Sequence, residues 1–244
     1  WLPGAHANAP SHVSAVMSGV MLKMGIYGIV RMTGLLPRVA PWHAGLLLTV
    51  GAVSAVLGVV LALAQSDLKR TLAYSSIENI GIIALGLGLA LLGRSLQRAD
   101  WMALGLSGAL LHVWNHSLFK SLLFLNAGAV IHAAHTREIN RLGGLARRMP
   151  QVAALFMVGA GAICALPGLN GFVSEWLIYS GLFRTLAPPT GAPGAAWPVA
   201  SLAVPALAVV GALAIGCFVG LLGSTFLGTG RSEAGSHARD PGRF

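Results

Sequence analysis

No lysine, arginine, aspartate or glutamate interrupts the chain from Val39 to Ser66, and Thr185–Gly230 is equally free of them. Roughly 20 consecutive apolar residues are enough to cross a bilayer as a helix. A helix also satisfies its own backbone hydrogen bonds, which hydrocarbon cannot do for it. Only 9% of the 244 residues are charged, against about 25% in soluble domains. A water-soluble globule is therefore excluded. The pattern predicts an all-α membrane protein of six transmembrane helices at about 11–35, 42–64, 71–92, 101–131, 150–183 and 198–227. Residues 1–230 then form one transmembrane domain, and 231–244 a polar tail or truncated loop.

The fifth span contains Pro167-Gly168-Leu169-Asn170-Gly171. Proline removes a backbone donor and clashes with the preceding turn, so this helix is predicted to break near 167–171. At membrane depth such a break must line a cavity or be covered by protein, and discontinuous helices build ion sites in transporters. Pro167, Gly168 and Gly171 thus mark a functional break, with a plain proline kink as the alternative.

Net charge is +9, but the basic residues are scattered between apolar stretches. That excludes a nucleic-acid face, which needs clustered charge. With loops on alternate sides, Lys69, Arg70, Arg137, Arg141, Arg147, Arg148, Arg231, Arg239 and Arg243 share one side; Arg31, Arg38, Arg94, Arg98 and Arg184 share the other. The richer side is predicted to be cytoplasmic, with Trp1 on it. WLPGAHANAP has no start methionine and no basic leader, and the chain ends in SEAGSHARDPGRF, so a fragment of a longer protein is expected.

Against this background the ionisable residues inside the spans stand out. Lys23 in the first span, Glu78 in the third, Lys120 in the fourth and Glu175 just beyond the break are costly in hydrocarbon and mark functional sites by default. His112, His116 and Lys120 are spaced by four, so they share one helix face over about 12 Å. Histidine titrates near neutrality, and a desolvated lysine can surrender its proton. The set reads as a proton path. A zinc site at His112-x3-His116 is a weaker rival, since no glutamate lies between the histidines and lysine is a poor ligand. Lys23 is expected to pair with an acid, Glu78 or Glu175. Glu78 reads equally as a relay group or a lysine's counter-ion. Asp67 fits a helix N-cap. His132 and His135 are expected in a loop, and His6 and His12 carry no assigned role. Cys164 and Cys217 show no metal-binding spacing and read as inert core residues; no metal or other cofactor is implied.

Four stretches carry a family likeness: WLPGAHANAPSHVSAVMSGVMLKMGIYGIVR, QSDLKRTLAYSSIENIGII, HVWNHSLFKSLLFLNAGAVIHAAHTREINRLGGLARRMP and ALPGLNGFVSEW. They resemble the antiporter-like membrane subunits shared by respiratory complex I, Mrp-type cation/proton antiporters and energy-converting hydrogenases. Glu78-Asn79, Asn115-His116 and the HTREINRLGGLARRMP loop resemble the hydrogenase-4 and formate hydrogenlyase branch in particular. The resemblance implies inverted five-helix repeats, here the last helix of one and the whole of the next. It also implies roles. Lys23 would connect two half-channels, His112, His116 and Lys120 would form the central relay, and Glu175 would be the exit. The implied function is translocation of protons, or of sodium, in a redox-driven complex of a bacterial or archaeal plasma membrane. Other membrane and peripheral subunits would carry the redox centres, and this chain none of its own. A non-conducting membrane anchor and a stand-alone Mrp-type antiporter are the alternatives.

Overall fold

The computed structural model describes residues 1–186, 196–235 and 238–241, and among them it is helical with no strand. A short helix, α1 (Leu2–Asn8), precedes the first long segment. That segment runs as α2 (Ser11–Val16), a π-helical turn (Met17–Met21) and α3 (Leu22–Leu35). Then come α4 (Pro41–Leu63), α5 (Leu68–Ser95), α6 (Ala99–Ala134), α7 (Pro150–Ile163), α8 (Asn170–Phe183) and α9 (Ala196–Phe226). Among the described residues, five segments are long and apolar enough to cross a membrane: Ser11–Leu35, Pro41–Leu63, Leu68–Ser95, Ala99–Ala134 and Pro198–Phe226; Pro150–Ile163 is apolar but shorter. The expected spans at 11–35, 42–64, 71–92, 101–131 and 198–227 each fall within a few residues of these. The expected span at 150–183 consists of two 14-residue helices.

Residues 164–169 separate α7 from α8. Leu166 N–H bonds the Gly161 carbonyl and Ala165 N–H the Ala162 carbonyl, with Ala165 at φ 50°. This is a Schellman termination with alanine in the left-handed position usually given to glycine. Gly168 follows at φ +91°. A side chain at Gly171 would strike the Ala162 carbonyl, so only glycine lets α8 start this close to the end of α7.

α5 is the central helix, buried along nearly its whole length. A helix apolar on all sides is stable only when enclosed, and α4, α6, α8, α9 and α1 all pack on it. α4 crosses it at backbone contact: a Cβ on Gly58 would lie 2.8 Å from Glu78 Cα. Asp67 caps α5 as predicted, accepting from the N–H groups of Lys69 and Arg70 at 2.9 and 3.0 Å. The basic 135–149 segment is clamped onto this end. Leu68 N–H bonds Arg137 O at 2.9 Å, Ile139 N–H bonds Ser66 O at 2.8 Å, and Arg137 pairs with Asp67 at 2.7 Å. Arg137 also donates to Ala7 O at 2.5 Å, fixing α1 beside the loop.

Three placements differ from the sequence reading. Lys69 lies within α5, is 4% exposed and donates to Ala9 O; its stem and ammonium are used to hold α1. His132 lies in the last turn of α6 and only His135 leaves the helix, at φ 52°. In the 231–244 region, Asp240 accepts from the N–H groups of Gln151 and Val152 at 3.0 and 3.2 Å, so it caps α7 from a distance. Residues 236–237 and 242–244 of that region lie outside the described residues.

Candidate functional site

α6 carries the core of the site because its four-residue spacing aligns His112, His116 and Lys120 toward α5 and α8. All three are buried, Lys120 at 0% exposure. The two imidazoles stack with centroids 6.5 Å apart, and Phe119 stands edge-on to both, at 6.2 and 5.4 Å.

Lys23 reaches this row from the first segment. The π-turn just before it widens the helix, a feature that recurs at functional sites. Lys23 Nζ donates to Ser18 O and lies 2.6 Å from His116 Nδ1. The expected acid partner is therefore corrected to an imidazole. The reason is packing: the α2–π segment lies on α6, where Ser117 Oγ donates to Gly19 O at 2.6 Å, whereas Glu78 and Glu175 sit on α5 and α8. Lys23 also lines a cavity of about 670 Å³ with Tyr27 and Trp114, open at the periphery.

Lys120 reaches across to α5. Its ammonium donates to Leu72 O at 2.8 Å and to Ser75 Oγ at 2.5 Å. From there two hydrogen-bonded lines run back. In one, Asn79 Nδ2 donates to Ser75 O at 2.8 Å and Asn79 Oδ1 faces His112 Nε2 at 3.1 Å. In the other, Ser76 Oγ donates to Leu72 O at 3.1 Å and meets Ser18 Oγ at 2.9 Å, on the residue whose carbonyl holds Lys23. Lys23, His116, His112 and Lys120 thus form one buried constellation.

The acids are arranged differently. Glu78 is buried on α5, with Oε2 lacking a hydrogen-bond partner among the described residues. Glu175 lines a separate cavity of about 310 Å³ with Cys164, Phe172, Trp176 and Tyr179. The residue before it, Ser174, contacts the row: its Oγ is 2.9 Å from His112 Nδ1. Ion pairs among the described residues, Arg98–Asp100, Arg137–Asp67 and Arg184–Asp100, all lie at helix ends. Neither Lys23 nor Lys120 forms one among the described residues.

The sequence reading missed Ser18, Ser75, Ser76, Ser174 and His6. The serines give no signal in composition; only Asn79, four residues after Ser75, hints at a polar face on α5. His6 was assigned no role, yet it is 0% exposed, stacks on Phe124 at 4.7 Å, and has both ring nitrogens unpartnered among the described residues. Burial lowers its pKa to about 4, aided by the positive charges of Lys120 and Lys69. No group of three or more His, Cys, Asp or Glu suited to a metal occurs among the described residues, and His112 and His116 are instead engaged by Ser174, Asn79 and Lys23.

The chain belongs to the NADH:quinone oxidoreductase/Mrp antiporter transmembrane family, whose model matches residues 1–188. It is 47% identical to hydrogenase-4 component B of Escherichia coli over 243 residues, covering 98% of this chain and 36% of that protein. It is 42% identical to formate hydrogenlyase subunit 3 of Escherichia coli over 238 residues, covering 98% of this chain and 39% of the relative. The chain thus spans little more than a third of the length of these curated relatives. Its fold matches respiratory complex I from Thermus thermophilus with a TM-score of 0.77 at 29% identity, over 99% of this chain and 46% of the matched chain. The likeness carried by the four sequence stretches is borne out. With its several apolar helices, the chain is a multi-pass membrane protein of this antiporter-like family.

Proposed function

We propose that this chain moves protons through the buried lysine–histidine constellation as part of an ion-translocating subunit in a redox-driven, hydrogenase-like complex. The observation that carries the reading is that two buried lysines are held by neutral acceptors and an imidazole, and by no carboxylate ion pair among the described residues. Fixed ionic glue between helices would pair its ammonium groups with acids. Here each ammonium sits where it can lose a proton without stranding a counter-charge.

Lys23 and His116 form the first exchange pair. At 2.6 Å a proton can pass from Nζ to Nδ1 with little heavy-atom movement, and the charge shifts from the first segment to α6. The Asn79–Ser75 and Ser18–Ser76 lines then couple charge at His112 and Lys23 to charge at Lys120. Water entering beside the unpartnered His116 Nε2 and Glu78 Oε2 would complete the steps these side chains do not span, since buried polar groups demand partners. Glu175, at the cavity beyond the break, is the exit group in this scheme, and Glu78 tunes the charge of the row.

The finer architecture belongs to the same proposal. α7 and α8 together make a sixth, broken crossing through Pro167, Gly168 and Gly171, so that residues 1–230 are one five-helix repeat plus a preceding helix. Trp1 and the 135–149 segment face the cytoplasm of a bacterium or archaeon, following the arginine bias. Electron transfer takes place in partner subunits. The test is translocation by the full-length subunit in its complex, reconstituted in vesicles. Lys23→Gln should abolish proton uptake, with sodium neither required nor moved. Unchanged uptake, or uptake that depends on sodium, would overturn the reading.

A further inference from the structure

Among the described residues, Ser174 is the side chain of the broken helix that hydrogen-bonds the relay, and its Oγ has an unusual number of partners. It is 0% exposed, and its Oγ has three partners: His112 Nδ1 at 2.9 Å, Gly171 O at 2.9 Å and Asn115 Nδ2 at 3.1 Å. Asn115 Nδ2 also donates to Asn170 O at 2.7 Å, and Asn115 Oδ1 accepts from Asn170 Nδ2 at 3.3 Å, so the orientation of that amide is fixed. It can only donate to Ser174. Gly171 O can only accept. A hydroxyl has one proton and two lone pairs, so the Ser174 proton goes either to Gly171 O or to His112 Nδ1.

The other side of the ring is also fixed. Asn79 Nδ2 donates to the Ser75 carbonyl, which leaves Asn79 Oδ1 facing His112 Nε2 as an acceptor. His112 Nε2 must therefore carry a proton, and the neutral ring accepts at Nδ1. We propose that Ser174 is a positioning residue whose single hydroxyl proton turns between His112 Nδ1 and the Gly171 carbonyl, keeping both ring nitrogens hydrogen-bonded whether His112 is neutral or positively charged. This deepens the proton-translocation reading and rests on it for its purpose.

The step balances. In the neutral state Ser174 O–H donates to Nδ1. When hydronium delivers a proton to Nδ1, water is released, the O–H turns to Gly171 O, and Nδ1–H donates back to Ser174 Oγ. Release of the proton reverses each bond. No bond to the ring is lost in either state, so the barrier to charging is not raised by a stranded donor. The titratable groups of the buried site on elements around the ring are Lys23 from α3, Glu78 from α5, His116 and Lys120 from α6 itself, and Glu175 from α8, with Lys69, Asp100, His132 and Tyr179 further along the same helices; Ser174→Ala and Ser174→Thr leave all of them in place.

The test is solid-state nitrogen NMR of the histidine-labelled full-length subunit in bilayers, with His112→Gln used for assignment, titrated from alkaline to acidic pH. Wild type should show a neutral His112 protonated at Nε2, then protonation at Nδ1. Ser174→Ala should weaken proton affinity at Nδ1 about tenfold, because the charged ring loses a stronger bond than the neutral one. Ser174→Thr, which keeps the hydroxyl, should restore it. A neutral wild-type ring protonated at Nδ1 overturns the proposal without needing any variant to fold. An Nδ1 affinity unchanged in Ser174→Ala also overturns it. A wild type that shows the predicted tautomer and shifts but moves no protons across vesicles keeps the switch and removes translocation, so the two failures are distinct.

Discussion

Replacing Lys120 by methionine separates a proton carrier from structural glue. Lys120 is fully buried, and its ammonium donates to Leu72 O and Ser75 Oγ. Neither acceptor is stranded by its loss, because Ser75 Oγ and Ser76 Oγ each donate to Leu72 O at 3.1 Å. Hydrogen bonds to a charged group contribute about 1.5–3 kcal/mol each. Withdrawing an ammonium from water costs several kcal/mol. The two roughly cancel, and methionine fills nearly the same volume. Unfolding free energy should therefore change by less than about 1.5 kcal/mol, or rise, as happens when buried charges give way to packed apolar groups. A lysine serving as half of a buried ion pair would instead cost about 3–5 kcal/mol on removal. Equilibrium unfolding of the full-length subunit in mixed micelles reads the stability, and proton uptake in vesicles reads the function. The reasoning predicts near-normal stability with uptake abolished. A loss above about 3 kcal/mol, or uptake preserved, refutes it.

Other outcomes follow from the same geometry. Lys120→Arg keeps a charge that does not dissociate in proteins, so proton uptake should cease while the protein still folds; vesicle assays check this. Gly58→Ala should destabilise by about 1–3 kcal/mol, the range for overpacking, because its methyl would press on the Glu78 backbone; thermal unfolding would detect the shift. His6 gives a pH dependence. Its folded pKa of about 4 lies below the usual 6.5, so the unfolded chain binds the extra proton between those values and stability falls as pH drops through them. The loss from neutral pH to pH 5 should be about 2 kcal/mol, and His6→Phe should remove that dependence in unfolding titrations. Asp67→Ala removes an N-cap and the Arg137 pair, and should cost about 1–2 kcal/mol by the same measurement.

The sequence made the spans legible because bilayer thickness fixes their length, and among the described residues five long helical segments fall where apolar stretches predicted them. Lys23, His112, His116 and Lys120 were also legible, since ionisable groups in apolar runs announce themselves. Their connections were not. Whether Lys23 meets an acid or an imidazole depends on which helix the first segment packs against, and periodicity carries no such information. The serines that complete the row are unremarkable in a chain where small residues also line the α4–α5 and α5–α6 crossings. Ala165 hid the end of α7, because the left-handed position that stops the helix is normally signalled by glycine. His6 had no assigned role and Lys69 was placed at the boundary before the third span; their burial depends on how α1 packs, with His6 against Phe124 and Lys69 donating to Ala9 O, which spacing along the chain does not carry.

The central claim is that protons pass along the buried lysine–histidine row. The ratio of protons moved to electrons transferred by the reconstituted full-length complex, compared between wild type and His116→Leu, tests it most directly. His116 is the residue that receives Lys23, and leucine at that position can accept nothing. Electron transfer that continues while the ratio falls by the contribution of this subunit is the predicted result. An unchanged ratio in His116→Leu would contradict the account.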